Sequence, residues 1–236
     1  MSSSKKKTKT IYITRHGETD MNTDPTPRVR GRIDVPLNAM GIAHAKALGD
    51  YIKDMNIGKI YYSSINRAKQ TAELIAGQHS TKLELVEEPL LIDISWGDWE
   101  GKTYLEAFGK EDGGDYKNAP ERLSIPNGES FYSVQDRIKK FLDRFWYSDE
   151  DVCFICSHGA IANMFSCMIN ESSFRHFRTM AMEGCGLSVV KMKGIGQFVI
   201  DTWNAHHFLK EGEAKYLEKK EKEKEKENKK SNFVNK

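Results

Sequence analysis

The sequence predicts an α/β fold in three layers, α/β/α, around a mostly parallel six-stranded mixed sheet. Three observations carry that prediction. Apolar runs of strand length alternate with runs of helical period across residues 10–203. Two of the strand-like runs, "IYITRHGE" and "CFICSHGA", close on the same His-Gly pair. The last two runs are separated only by "KGIGQ", which reads as a hairpin turn and hence an antiparallel pair near the end.

Taken in order, the strands fall at 10–14, 59–63, 82–86, 151–157, 187–193 and 197–203. Residues 39–55 carry Ile42, Ala45, Leu48, Ile52 and Met55 at spacings of three and four, an amphipathic helix. Residues 66–77 repeat the pattern with Ala68, Ala72 and Ile75, and Gly77 is placed to stop the helix. The strongest stripe is Phe131, Val134, Ile138, Phe141, Leu142 and Phe145. Residues 160–169 are apolar nearly all round, as a helix packed deeply on a sheet requires.

These elements define a domain over residues 10–209. Residues 1–9 form a basic tail, and 210–236 a Lys/Glu-rich tail expected to be disordered or a frayed helix, with too little apolar surface to offset its ordering entropy. The 236 residues are 39% hydrophobic with a net charge of +2, so composition gives no support to a nucleic-acid surface. No run approaches the roughly 20 apolar residues of a membrane span, and the basic start has no apolar segment behind it. Four cysteines do not make a disulfide framework. Cys153 and Cys156 lie three apart in a strand, on opposite faces, so they cannot grip one metal. His206 and His207 diverge, with no carboxylate at ligand spacing, and no metal site is expected. A reducing cytoplasm suits this thiol content.

Chemistry enters with the two His-Gly strand ends. Ligands of open parallel sheets bind outside the carboxyl ends of the strands, so His16 and His158 are expected at one edge. Arg15 precedes the first of them, and Arg67 follows another strand end and opens a helix. Two arginines and two imidazoles are built for an anion, most naturally phosphoryl. Gly159 and Ala160 open the apolar helix and present backbone N–H groups. A neutral imidazole among such cations can attack phosphorus, while the second hydrogen-bonds the transferring oxygens. Gly17 is expected to let the chain turn away and leave room for the phosphoryl group. His44, His79, His176, His206 and His207 read as structural.

Six motifs in order, "RHGET" with Asn22 behind it, "GRIDVPLNAMG", "SSINRAKQTAE", "WGDWEG", "PNGES" and "SHGAI", resemble the histidine phosphatase superfamily. The resemblance is to its phosphoglycerate mutase-like branch and implies that fold. It implies a phosphohistidine on His16, with Arg15, Arg67 and His158 completing the phosphate pocket. It further implies that Asn22 contacts the phosphoryl group, that Gly159 gives a backbone donor, and that Arg28, Arg30 or Arg32 meets the substrate. Glu18 and Ser64 would orient neighbouring groups. The family's general acid is usually a glutamate; "LLIDISWGDWEG" places Asp93 there, with Glu100 and Asp98 as alternatives. The paired arginines that family mutases carry after "WEG" are missing, "HGA" replaces "HGN", and "PNGES" is similar to the "PGGES" of the phosphatases. A metal-independent phosphomonoesterase is therefore expected first. A phosphoglycerate mutase primed by 2,3-bisphosphoglycerate is the alternative, and a non-catalytic phospho-binding protein the remoter one. No cofactor is required of the phosphatase. The substrate is a small phosphorylated metabolite or a phosphoprotein, and family relatives are often homodimers.

Overall fold

Period-two alternation sorts the central strands between two apolar layers. The computed structural model describes residues 7–110 and 113–234; positions 1–6 of the basic tail lie outside it. Its strands are β1 (Lys9–Arg15), β2 (Lys59–Tyr62), β3 (Glu84–Glu87), β4 (Val152–Ser157), β5 (Leu187–Gly194) and β6 (Gln197–Ala205). Its α-helices are α1 (Asp20–Thr23), α2 (Ala39–Ile52), α3 (Asn66–Ala76), α4 (Tyr104–Phe108), α5 (Asp115–Asn118), α6 (Phe131–Tyr147), α7 (Gly159–Ile169) and α8 (Leu209–Val234). The sheet runs β3-β2-β4-β1-β5-β6. The first four are parallel; β5 is antiparallel to both β1 and β6. This is the expected mixed, mostly parallel six-stranded sheet.

On one face Ile11, Ile13, Cys153 and Ile155 pack with α6 and α7. On the other Phe154 and Cys156 pack with α2 and α3. Cys153 and Cys156 thus lie in different layers, and all four cysteines are free and buried. The stripe of α6 is buried as its spacing required, and Ser130 caps the helix by accepting from the Ser133 N–H. At the other end Lys9, fully buried, donates to the carbonyls of Phe145 (2.5 Å) and Ser148 (2.8 Å). A cation on the last carbonyls of a helix suits both their lone pairs and the helix dipole, and it ties the start of β1 to the end of α6.

Two expectations are corrected. Ile42 was placed on the buried stripe of α2 but is 39% exposed. The buried face holds Gly41, Ala45, Leu48, Gly49 and Ile52. A Cβ at Gly41 would stand 2.2 Å from the Glu18 carbonyl oxygen, and one at Gly49 2.8 Å from Gln78. Backbone contact through glycine turns the helix, and apolar spacing does not register it. The second correction concerns residue 209 as a boundary. The chain continues as α8, and Phe208, Leu209 and Gly212 are buried. Gly212 lies over α2, where a Cβ would be 2.8 Å from that of Ala47, and Glu213 bonds His44 at 3.1 Å. The first turns of α8 are packed, not frayed.

Candidate active site

Parallel register delivers the site. β1 and β4 pair in step from Thr10↔Val152 to Arg15↔Ser157, and the His16 N–H continues the ladder to the Ser157 carbonyl at 2.8 Å. The residues after each strand, His16 and His158, must then stand level at one sheet edge. Their rings are 5.3 Å apart, centroid to centroid. Onward from here the chain leads to α2 on one face and to α7 on the other, so the histidines sit at the crevice where the winding changes direction.

His16 is 5% exposed. Its Nδ1 lies 2.7 Å from the Gly17 carbonyl, which only accepts, so the proton is on Nδ1. Nε2 therefore carries the lone pair and accepts from the Arg67 Nε–H at 3.1 Å. Burial first, then the charges of Arg67 and Arg15, hold its pKa well below 6.5. The imidazole is neutral with its lone pair toward the pocket, the state a nucleophile needs.

Arg67, 2% exposed, is held by the carbonyls of Ile33 and Gly31, both at 2.7 Å, and by Asp93 Oδ2 at 3.2 Å. The same Oδ2 is 3.5 Å from His158 Nδ1, which has no hydrogen-bond partner. His158 Nε2 meets the Ser63 hydroxyl at 2.7 Å. Burial, Arg67 and His16 push the His158 pKa well down. Burial raises the Asp93 pKa against the opposing pull of Arg67. A carboxyl that keeps its proton above the ordinary range, beside the His158 imidazole, can act as an acid. The main chain brings this shorter side chain close: Ser157 Oγ donates to the Leu91 carbonyl (2.6 Å) and Arg32 Nε to the Asp93 carbonyl (3.1 Å). Glu100 instead accepts the N–H groups of Arg32 and Trp96, and Asp98 binds the Asn127 carboxamide.

A cavity of about 190 Å³ opens over this cluster, lined by Arg15, His16, Arg67, Asp93, Gly159 and Arg28, among others. Arg15 gives one N–H to the Met182 carbonyl at 3.0 Å, while its buried Nε has no partner. Arg28 is exposed at the rim and bonds the Gly101 carbonyl; Arg30 lines the cavity and Arg32 does not.

Several expected residues stand elsewhere. Asn22 does not line the cavity; its Oδ1 accepts from the Thr19 N–H and hydroxyl in the capping box of α1. Gly17 does not line it either. Its N–H donates to Thr71 Oγ1, and a Cβ there would meet the Gly41 carbonyl oxygen at 2.7 Å. The glycine makes room for α2. Glu18 holds Asn38. Ser64 is exposed, and its neighbour Ser63 orients His158.

Sequence reading missed Asn163 and Arg178, both lining the cavity. Asn163 was hidden in an apolar helix, with only its place one turn after Gly159 as a signal. Arg178 stands 5.3 Å over the Tyr116 ring, a contact between distant segments that nothing local announces.

A neutral, buried imidazole facing an arginine-lined cavity at a sheet's switch point defines a phosphate-handling α/β protein. The chain belongs to the histidine phosphatase superfamily (branch 1), whose model matches residues 11–206. It is 36% identical to fructose-2,6-bisphosphatase TIGAR B of Danio rerio over 136 residues, 56% of this chain and 51% of that protein. The match thus spans about half the length of that relative. It is 33% identical over 152 residues to the uncharacterized phosphatase PhoE of Bacillus subtilis, covering 64% of this chain and 72% of that one. The structure of Bacillus stearothermophilus YhfR superposes with a TM-score of 0.74 at 27% identity, over 85% of this chain and 99% of that one.

Proposed function

We propose that the chain is a phosphomonoester hydrolase that works through a phosphohistidine on His16 and needs no cofactor. The observation that carries this is the fixed tautomer of His16, whose Nδ1–H donates to the Gly17 carbonyl and whose Nε2 lone pair accepts from the Arg67 Nε–H. As phosphate enters, the Arg67 Nε–H moves from Nε2 to a phosphoryl oxygen, and the unpaired Arg15 Nε and the N–H groups opening α7 bind the others. The Nε2 lone pair attacks phosphorus, the P–O ester bond breaks, and the leaving oxygen takes the Asp93 proton. Water then gives a proton to Asp93 and its oxygen to phosphorus. The P–N bond breaks with its pair returning to Nε2, and inorganic phosphate leaves. His158, oriented by Ser63, hydrogen-bonds the transferring oxygens.

The substrate class follows from size. A cavity of about 190 Å³ is below the roughly 300–1,000 Å³ of sites for drug-sized ligands, so a small phosphorylated metabolite fits better than a phosphoprotein. The names of relatives, a fructose-2,6-bisphosphatase and phosphoserine phosphatases among them, agree with that class. Cytoplasmic residence and a homodimer complete the reading; among the described residues, no helix is long and apolar enough to cross a membrane.

One observation favours mutase activity as a second reading. Arg178 and Arg28 line the same cavity as His16 and supply cations for the second anionic group of a bisphosphorylated intermediate. Hydrolysis of 4-nitrophenyl phosphate and isomerisation of 3-phosphoglycerate, measured on one preparation, rank the two. Hydrolysis is expected to dominate and to vanish in His16→Ala. Full hydrolysis in that variant sinks the mechanism.

A further inference from the structure

One polar residue of the cavity lining is not used by the phosphoryl chemistry: Asn163, 8% exposed, with its Oδ1 buried and without a hydrogen-bond partner. The residue is four positions past Gly159 on α7, a rise of about 6 Å along the helix. An unpaired buried carbonyl-type oxygen costs about 1–3 kcal/mol, and a donor on a ligand removes that cost. Carboxamide oxygen only accepts, so the ligand must bring an O–H or N–H.

Charge selects between these. Arg15, Arg28, Arg30 and Arg178 line the same space, where Asp93 is the carboxylate. That field opposes an ammonium and leaves a hydroxyl as the matching donor. The lining also includes the rings of Trp96, Tyr104, Phe108 and Tyr116, a surface that suits the C–H face of a polyol.

We propose that Asn163 is a specificity-determining residue that accepts a hydrogen bond from a hydroxyl on the alcohol portion of the substrate, so that the site prefers polyhydroxylated phosphomonoesters. The proposal rests on the hydrolase reading above.

Its test is a matched pair, glycerol 3-phosphate and n-propyl phosphate, each competing with 4-nitrophenyl phosphate for the full-length protein. The wild type is expected to bind the hydroxylated ester about 10-fold or more tightly than its deoxygenated analogue. Asn163→Leu should bring the ratio of the two inhibition constants to within about twofold of one. The ratio is taken within one protein, so a variant that folds only in part does not imitate the result. Equal inhibition constants in the wild type overturn the proposal, as does a ratio that Asn163→Leu leaves unchanged. If the wild type does not hydrolyse 4-nitrophenyl phosphate, the hydrolase reading and this inference fall together. If it hydrolyses that ester but does not discriminate within the pair, only this inference falls.

Discussion

His16 and His158 are held neutral mainly by burial, and Arg67 adds to it. Their folded pKa values lie well below the unfolded value of about 6.5. Below that value the unfolded chain takes up protons that the folded chain refuses, so stability must fall with falling pH. Each such histidine contributes a slope of up to about 1.4 kcal/mol per pH unit. Urea denaturation between pH 7 and 5.5 should show this slope, and His16→Asn should flatten it; an equal slope in the variant would contradict neutral burial. Asp93 shifts the other way. Its raised pKa keeps the acid form present to higher pH than an ordinary carboxyl, and turnover should decline as pH rises through it. Asp93→Asn should lower kcat/KM, which reports transfer to His16 and not the later attack of water, by about 10²–10⁴ for alkyl phosphates, the range for general acid–base catalysis. It should cost far less for 4-nitrophenyl phosphate, whose leaving group needs no proton. Equal losses on both esters would falsify the acid role.

Elements place these residues, and the close approach of β1's exit to α2 is a tight constraint. Gly17 meets the Gly41 carbonyl and hangs from Thr71 on α3, while its own carbonyl fixes the His16 tautomer. Gly17→Ala puts a methyl group where backbone already stands. A destabilisation of about 1–3 kcal/mol is expected, as for overpacking generally, along with a lower kcat because His16 shifts. Urea midpoints and steady-state kinetics check both parts. Sequence showed the histidines and the two arginines, because each ends or follows a periodic run whose direction is readable. Asp93 was implied only by the resemblance of "LLIDISWGDWEG" to the family's motif. Sequence did not show what lay one residue off the periodic pattern. Ser63 and Ser64 differ by a single step, and in extended chain one step is the difference between the two faces. The helices α4 and α5, five and four residues long, are too short for a period. They hold instead through the capping box of Thr103 and Glu106 and the stacking of Phe108 on Tyr116. The cavity's aromatic wall comes largely from that segment and was equally illegible.

On the scale of the whole molecule, the two ends of the chain differ in what they add. Lys9 ties β1 to α6, whereas α8 leaves the sheet after packing its first turns on α2. Phe208 stacks on Tyr51 at 4.4 Å between ring centres, and Gly212 lets the helix approach Ala43 and Ala47. A groove of about 780 Å³ runs between these helices, larger than the cavity at His16, but its lining has no pair of imidazoles and no arginine. Size therefore does not locate the chemistry in this fold; charge and convergence do. Composition treated residues 210–236 as one polar tail because lysine and glutamate dominate it, and the few packing positions near its start were too sparse to stand out. The two parts should respond differently to change. Gly212→Leu must push α8 off α2 and is expected to cost about 1–3 kcal/mol. Lys222→Ala, at an exposed position farther along α8, should alter stability by less than about 0.5 kcal/mol, as for surface changes generally. Neither change reaches the strand ends that carry His16 and His158, so hydrolysis of 4-nitrophenyl phosphate by the folded fraction should stay within about twofold. Urea midpoints measured beside that activity decide the matter: a stable Gly212→Leu protein would mean that the α2–α8 contact contributes nothing to the fold.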